Sequence, residues 1–389
     1  MYRIRGYLQN YPWGISGGLR SWLGNADRAT LDPSEAEAEL WYGSHQNGPS
    51  PIVGGRGATL RDEVDPPRVP LLVKLLAAAR PLSIQVHPPL AQAIAGFGAQ
   101  QRDHKLPRLL SDSAAKTEML IAIKPFSALQ GWREFGLAAQ ILAGVGGSAS
   151  DAAVELRAGA IKQAIAMLLA IPRAELDSLN GKVPAAAAAA ELGPAAIAAL
   201  ATVAANYPSD PGVLVAVLLD HCSLVPGEAV FLPAGVVHAY VTGTGLEVMT
   251  ASDNVLRLGL TNKVVAVDAA LAALRLDLRP QRLEPPSVAL PDGGHVREYE
   301  PEGGPFRVTA MTEGAVEFAE PSYRLVLSVV GQATVSVAGR DVTLNAGEAA
   351  AVLDDDGPMI VAAGAATFVA RPQLPFEPPR SQSVDHPAS

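Results

Sequence analysis

Residues 127–207 carry a different periodicity from the chain on either side, and this interruption limits the folds open to it. Inside the block, Val154, Ala158, Ile161, Ile165 and Leu168 recur at three- and four-residue steps, Asp151 is placed to cap, and Pro172 follows the run. That is the pattern of helix. Outside it, apolar runs at 69–76, 82–86, 213–219, 224–239 and 245–260 are broken by Gly, Pro or Asp-Asn, the pattern of strands and turns. A β unit made of 1–126 and 208–278 should therefore rejoin across a helical insert at 127–207, which is expected to lie beside it and form part of the pocket rim. A Pro-rich stretch at 279–291 sets off a second β unit, 279–389, with strands expected at 323–330, 333–337, 342–344 and 359–362. Residues 372–389, Pro-rich and polar, read as a peripheral strap or a frayed tail.

Composition narrows the partners. The 389 residues are enough for two or three domains, and 30 Lys plus Arg against 39 Asp plus Glu leave a net charge of −9 with no general attraction for a polyanion. Nucleic acid is not an expected partner. The single cysteine, Cys222, can form neither an internal disulfide nor a thiolate zinc site and suits a reducing compartment, so a cytoplasmic location is expected. No apolar segment follows Arg3 and Arg5, so no secretory signal is read and the mature chain is expected to start here. The most membrane-like stretch, 185–205, is mostly alanine and is interrupted by Glu191, Gly193 and Pro194, which predicts soluble helix and no membrane partner.

One internal echo links the two β units. Leu224-Val225-Pro226-Gly227-Glu228-Ala229 resembles Leu344-Asn345-Ala346-Gly347-Glu348-Ala349, but only the first copy continues to a histidine, His238. If the units are related, the first alone kept its chemistry.

Seven histidines are available. The settings of His45, His104, His295 and His386 are those of surface residues, and His221 beside Cys222 reads as a hydrogen-bonded core residue. His87 differs, because strand alternation in Ser83-Ile84-Gln85-Val86-His87 puts Ser83, Gln85 and His87 on one face. Imidazole nitrogen and amide oxygen on one face suit a borderline divalent ion such as zinc, and equally an ordinary polar strand face. His238 closes the run Gly227-x5-Pro233-x-Gly235-x2-His238, which resembles the second motif of the cupin superfamily except that Thr242 replaces the usual Asn. Two turns would then fix a strand from which His238 projects into a barrel mouth. Gln85-x-His87 looks like a variant of the cupin first-motif pair. Glu118, followed by the apolar Leu120-Ile121-Ala122-Ile123, is the best carboxylate to complete the set, since an unpaired buried carboxylate is costly. Gln85, His87, Glu118 and His238 would form an N2O2 metal site.

With these residues in hand, the chain resembles the type I mannose-6-phosphate isomerases, also called phosphomannose isomerases, over nearly its whole length. The resemblance rests on Tyr11-Pro12-Trp13-Gly14, Glu39-Leu40-Trp41, Leu72-Val73-Lys74-Leu75-Leu76, the 81–88 and 207–212 segments, Pro233 to Tyr240, Glu247, and the run from Ala251 to Lys263. Two departures stand out. Ala114-Ala115-Lys116-Thr117-Glu118 replaces the family's Asn-His-Lys-Pro-Glu, and Asn262 stands where Pro is common.

The resemblance implies a mainly β fold of two cupin-like, jelly-roll barrels plus a helical domain, with the C-terminal barrel lacking metal ligands. It implies one Zn2+ per chain and exchange of mannose 6-phosphate with fructose 6-phosphate through a cis-enediol. Glu247 is the first candidate for the base and Arg257 for charge stabilisation in the transition state. Without a glycine-rich phosphate cradle, Ser83, Lys116 and Lys263 are expected to meet the phosphate, with Tyr240 and Trp13 lining the substrate site. A monomer is favoured. The rivals are a catalytically silent sugar-binding cupin and a metal-dependent cupin dioxygenase. A Gln-containing ligand set argues against the second, and Glu247 with Arg257 against the first.

Overall fold

Leu71–Ala78 is an eight-residue strand with every residue buried, a state that requires cover on both faces of its sheet. The structure, a computed structural model, describes residues 1–23, 32 and 34–373. His386 and nearly all of the expected strap lie outside the described residues.

The central sheet runs in the order Gln281–Leu283, Ala229–Leu232, Glu118–Ala122, His238–Thr250, Leu71–Ala78, Glu39–Tyr42, Tyr7–Gln9. Its strand His238–Thr250 also builds a second wall. Residues 238–242 pair with Phe126–Trp132, and His238 pairs with Gln85, while residues 243–250 pair with Leu71–Ala78. The corner falls at Gly243, where φ is 135° and an added Cβ would lie 2.5 Å from the Phe126 ring, so a side chain there is excluded twice over. A bulge between Tyr240 and Thr242 assists the turn.

Alternation sorts the layers. Val73, Leu75, Met119, Ile121, Leu246 and Val248 face a second, seven-stranded sheet and pack on its Phe306, Val308, Leu325, Leu327, Ala349 and Ala351. The other face of that sheet, Val326, Ala350, Val352 and Val369, packs on Val335, Val337, Met359 and Val361 of a four-stranded sheet. Helices cover the outer side of the second wall at Leu129, Val237, Ala239 and Val241. Among the described residues none of these sheets closes into a barrel.

Several boundaries differ from those expected. Strand Tyr2–Arg5 pairs with Glu348–Val352, and Gln281–Leu283 pairs with Ala229–Leu232, so each β unit lends a strand to the other's sheet. Residues 127–132 are strand, and the insert's first helix is Phe135–Val145. The run from Val154 to Leu168 is two helices, Ser148–Arg157 and Ile161–Leu169, parted at Gly159 (φ 78°), and Val154 is 59% exposed. The 213–219 run is mostly helical, Gly212–Ala216, because the Asp210 carboxylate accepts the Gly212 N–H at 2.7 Å and starts a turn that an apolar count does not register. Leu90–Arg102 is a further helix, lying inside the segment whose pattern predicts strands and turns. No helix among the described residues is long and apolar enough to cross a membrane.

The sequence echo is a structural echo. Glu228 accepts the Val225 N–H and Glu348 accepts the Asn345 N–H, each at 2.8 Å. Gly227 (φ 90°) and Gly347 (φ 84°) supply the same left-handed step, so one turn geometry is built twice.

Candidate active site

Register places the polar side chains. Glu247 lies opposite both Lys74 and Leu120, Met249 opposite Glu118, Trp41 opposite Lys74, and Glu39 opposite Leu76. Side chains directly opposite in a ladder, or two apart along a strand, share a face. Glu39, Trp41, Lys74, Glu118 and Glu247 therefore share the face away from the Val73 and Val248 core, and all but Trp41 line one cleft as its floor. The second wall closes over it with Ser83, Gln85, His238 and Tyr240, leaving a cavity of about 50 Å³ between them.

At one end of the cleft, His87 Nε2 and His238 Nε2 lie 3.2 and 3.1 Å from the same oxygen of Glu118, Oε2, and all three side chains are buried. His87 Nδ1 stands 2.7 Å from the Asn254 carbonyl and His238 Nδ1 3.1 Å from the Val236 carbonyl. A carbonyl can only accept, so each Nδ1 carries a proton, and each Nε2 is the nitrogen left facing Glu118. Burial first, then Lys116, lowers the His87 pKa to about 4 and keeps that ring neutral. Burial pushes Glu118 up, but Lys116, His87 and hydrogen bonds outweigh it and hold the carboxyl well below its ordinary value. Two ring nitrogens and one carboxylate oxygen thus converge on one spot, an arrangement that a cation or shared protons between them would hold together. His87, Glu118 and His238 can hold a metal ion. Gln85 stands across the ladder from His238 and lines the same cleft.

The middle of the floor is a second charge cluster. Lys74 Nζ lies 3.1 Å from Glu247 and 3.6 Å from Glu39, and 4.9 Å above the Trp41 ring, whose Nε1–H donates to Glu39 at 2.8 Å. Burial pulls the Lys74 pKa down, yet Glu39, Glu247 and Glu118 together raise it, so the ammonium is secure. Burial raises Glu39, Lys74 opposes this, and Glu247 adds to it. Glu247 is thus a buried carboxylate set on a fixed cation, in a position to exchange a proton with a ligand in the cleft.

Arg257 and Lys263 lie outside this lining. They border a neighbouring cavity with Arg108, Leu109, Val255, Leu256, Val264 and Ala266, a lining with three cations and no carboxylate. The two spaces adjoin through the ladder, where Arg257 pairs with Gln85. Ser83, Lys116 and Tyr240 do line the cleft. Ser83 accepts a hydrogen bond from Gln85, and Lys116 is held on Glu118 at 2.6 Å. Trp13 stacks on Tyr11 and packs on the apolar cluster around Leu76 and Leu120. None of the cleft's lining residues comes from the helical insert, which packs behind the second wall instead of forming the rim. Glu39, Lys74 and Arg108 join these spaces although the sequence motifs assign them no role. A lone lysine inside an eight-residue apolar run was the available signal, because a buried ammonium demands anionic partners.

Comparison with known proteins gives a consistent picture. Residues 1–135 match the family described as phosphomannose isomerase type I, catalytic domain. The mannose-6-phosphate isomerase of Salmonella typhimurium is 33% identical over 304 residues, covering 72% of this chain and 76% of that protein. The Escherichia coli mannose-6-phosphate isomerase is 29% identical over 399 residues, covering 93% and 97%. A crystal structure of the Salmonella typhimurium isomerase bound to fructose 6-phosphate and zinc superposes with a TM-score of 0.79 at 27% identity, covering 96% of this chain and 100% of that one.

Proposed function

The chain belongs to the type I mannose-6-phosphate isomerases, and from that premise we propose that it interconverts mannose 6-phosphate and fructose 6-phosphate through a cis-enediol, using one zinc ion held by Gln85, His87, Glu118 and His238. The observation that carries this reading is the convergence of His87 Nε2, His238 Nε2 and Glu118 Oε2, with His87 Nε2 and Glu118 Oε2 buried and otherwise without a hydrogen-bond partner among the described residues. Two imidazole nitrogens, one carboxylate oxygen and one amide oxygen fit a zinc ion.

When bound, zinc supplies a Lewis acid for the sugar oxygens. The protein's own groups do the rest. Glu247 takes the proton from one of the two carbons and returns it to the other, and Lys74, 3.1 Å away, holds its carboxyl group in place between turnovers. Arg257, a permanent cation, offsets the negative charge that develops on the enediol oxygens. Lys263 receives the phosphate, with Ser83 and Lys116 also contributing to substrate binding and Tyr240 and Trp13 shaping the sugar site. The silent sugar-binding cupin and the cupin dioxygenase gain no supporting observation.

The same proposal covers organisation. Two cupin-like jelly-roll units, at 1–126 with 208–278 and at 279–389, exchange edge strands, and a helical insert at 127–207 buttresses the first. The shared turn at Gly227 and Gly347 supports the kinship. The C-terminal unit holds no metal, the chain acts as a cytoplasmic monomer, and its partner is the sugar phosphate and no nucleic acid.

A coupled isomerase assay with mannose 6-phosphate tests the reading. Turnover should vanish on chelation and return with added zinc. Full turnover by protein shown to be metal-free by elemental analysis would overturn it.

A further inference from the structure

Zinc affinity depends on how firmly ligands from separate strands are held to one another, and the structure shows a residue that touches one of them and the backbone segment leading to another. The backbone carbonyl of Asn254 accepts the His87 Nδ1–H at 2.7 Å. Its side chain grips the segment leading to Glu118. Oδ1 accepts the Ser111 and Asp112 N–H groups at 2.8 and 3.3 Å, and Nδ2 donates to the Asp112 carbonyl, the Asp112 carboxylate and the Ala114 carbonyl at 2.9, 3.0 and 2.8 Å. Asn254 is fully buried.

The other bonds to this segment come from residues that flank Asn254 or from the segment itself, among them Thr250 Oγ1 accepting the Thr117 N–H at 3.2 Å and the Asp112 carboxylate accepting the Ala114 N–H at 2.8 Å. Ala114 and Ala115 offer only backbone, so Lys116 and Glu118 depend on outside contacts for their approach to the cleft. Ser252 Oγ extends the same lattice by donating to Asp112 at 2.9 Å, and Thr250 Oγ1 donates to the Ala115 carbonyl at 3.0 Å. The buried amide can exchange none of these bonds for water, so losing it strands several backbone groups at once.

We infer that Asn254 is a positioning residue for the metal site, tying the tautomer and direction of His87 to the backbone path that delivers Glu118. The inference rests on the zinc site proposed above. Outer partners of metal ligands typically change affinity by about 10- to 100-fold when removed. Asn254→Ala should weaken zinc binding by about that factor, and Asn254→Asp should weaken it as well, because its donors become acceptors facing Asp112 and two carbonyls.

The test is zinc affinity by chelator competition on the purified full chain, with kcat and KM measured at saturating zinc. Asn180→Ala is the control. Asn180 is equally buried, and its amide, inside the insert, donates to the Pro208 and Asp210 carbonyls just past the insert's end, at 2.8 and 3.0 Å. That variant should lose stability and keep its zinc affinity. Should Asn254→Ala fail to fold, Ser252→Ala removes one outer strut and should weaken zinc severalfold. The inference is overturned if folded Asn254→Ala, or Ser252→Ala in its place, binds zinc as wild type does, or if Asn180→Ala weakens zinc equally. Failure of the wild type to bind zinc would instead overturn the ligand assignment.

Discussion

Lys116 and Glu118 divide one carboxylate between two jobs. Lys116 Nζ holds Oε1 at 2.6 Å, leaving Oε2 to face His87 and His238. Glu118 therefore presents a single, oriented oxygen to any ion at that point. It also has a counter-charge of its own when no ion is bound, which keeps a buried carboxylate tolerable in the metal-free protein.

Lys116→Met should therefore hurt the metal-free protein most. Breaking a buried pair by removing one partner costs about 3–5 kcal/mol, and a zinc ion on Oε2 would supply the missing positive charge. Chemical denaturation with and without zinc measures both losses. An equal loss in the two states would mean that Lys116 is not the counter-ion of Glu118.

Lys74 is the only cation in salt-bridge contact with both Glu39 and Glu247 among the described residues. Lys74→Met should cost about 3–5 kcal/mol for the same reason, and Lys74→Met with Glu247→Gln should recover part of it, about 0.5–3 kcal/mol of coupling. The sign of the pH effect follows from Glu39, whose pKa burial raises above its unfolded value. The native state then holds the extra proton, so stability falls as pH rises through that interval. Lys74→Met raises Glu39 further and should steepen the fall, making the variant weaker at pH 8 than at pH 5. Denaturation midpoints at both values decide the matter, and a flat profile would separate Glu39 from Lys74.

Arg257 and Lys263 share a cavity but should separate in kinetics. Charge stabilisation of the transition state by Arg257 predicts that Arg257→Ala lowers kcat far more than it raises KM, with zinc retained. Lys263→Ala should chiefly raise KM. Near-wild-type kcat in Arg257→Ala would sink its catalytic role, and loss of zinc along with activity would make it a prop for the 253–257 loop.

Glu134 caps the helix Phe135–Val145 behind the second wall, accepting the Gly136 and Leu137 N–H groups at 2.8 and 2.6 Å. These bonds hold its pKa below the usual value, so its stabilisation is present above the ordinary glutamate range and fades as pH drops through the native pKa. Glu134→Ala should lower Tm at pH 7, with the gap to wild type closing towards pH 3. A gap independent of pH would show that the charged cap is not its source.

Local chemistry determined much of this protein in advance. Alternation put Ser83, Gln85 and His87 on one face, with Ile84 and Val86 in the core, and the Pro-Gly turns led to His238. Those features depend on neighbours within a few residues, where steric and turn preferences act directly. The C-terminal strands were legible for the same reason. Other features required the folded sheet. Lys74 became a partner of Glu247 only through a register joining residues 173 positions apart, and Asn254 became a hub by closing a loop on 111–114. The edge strands Tyr2–Arg5 and Gln281–Leu283 crossed the expected boundaries because an unpaired edge takes whichever backbone the tertiary packing brings alongside it. Pairing energy of that kind depends on position in space, and no window along the chain contains it.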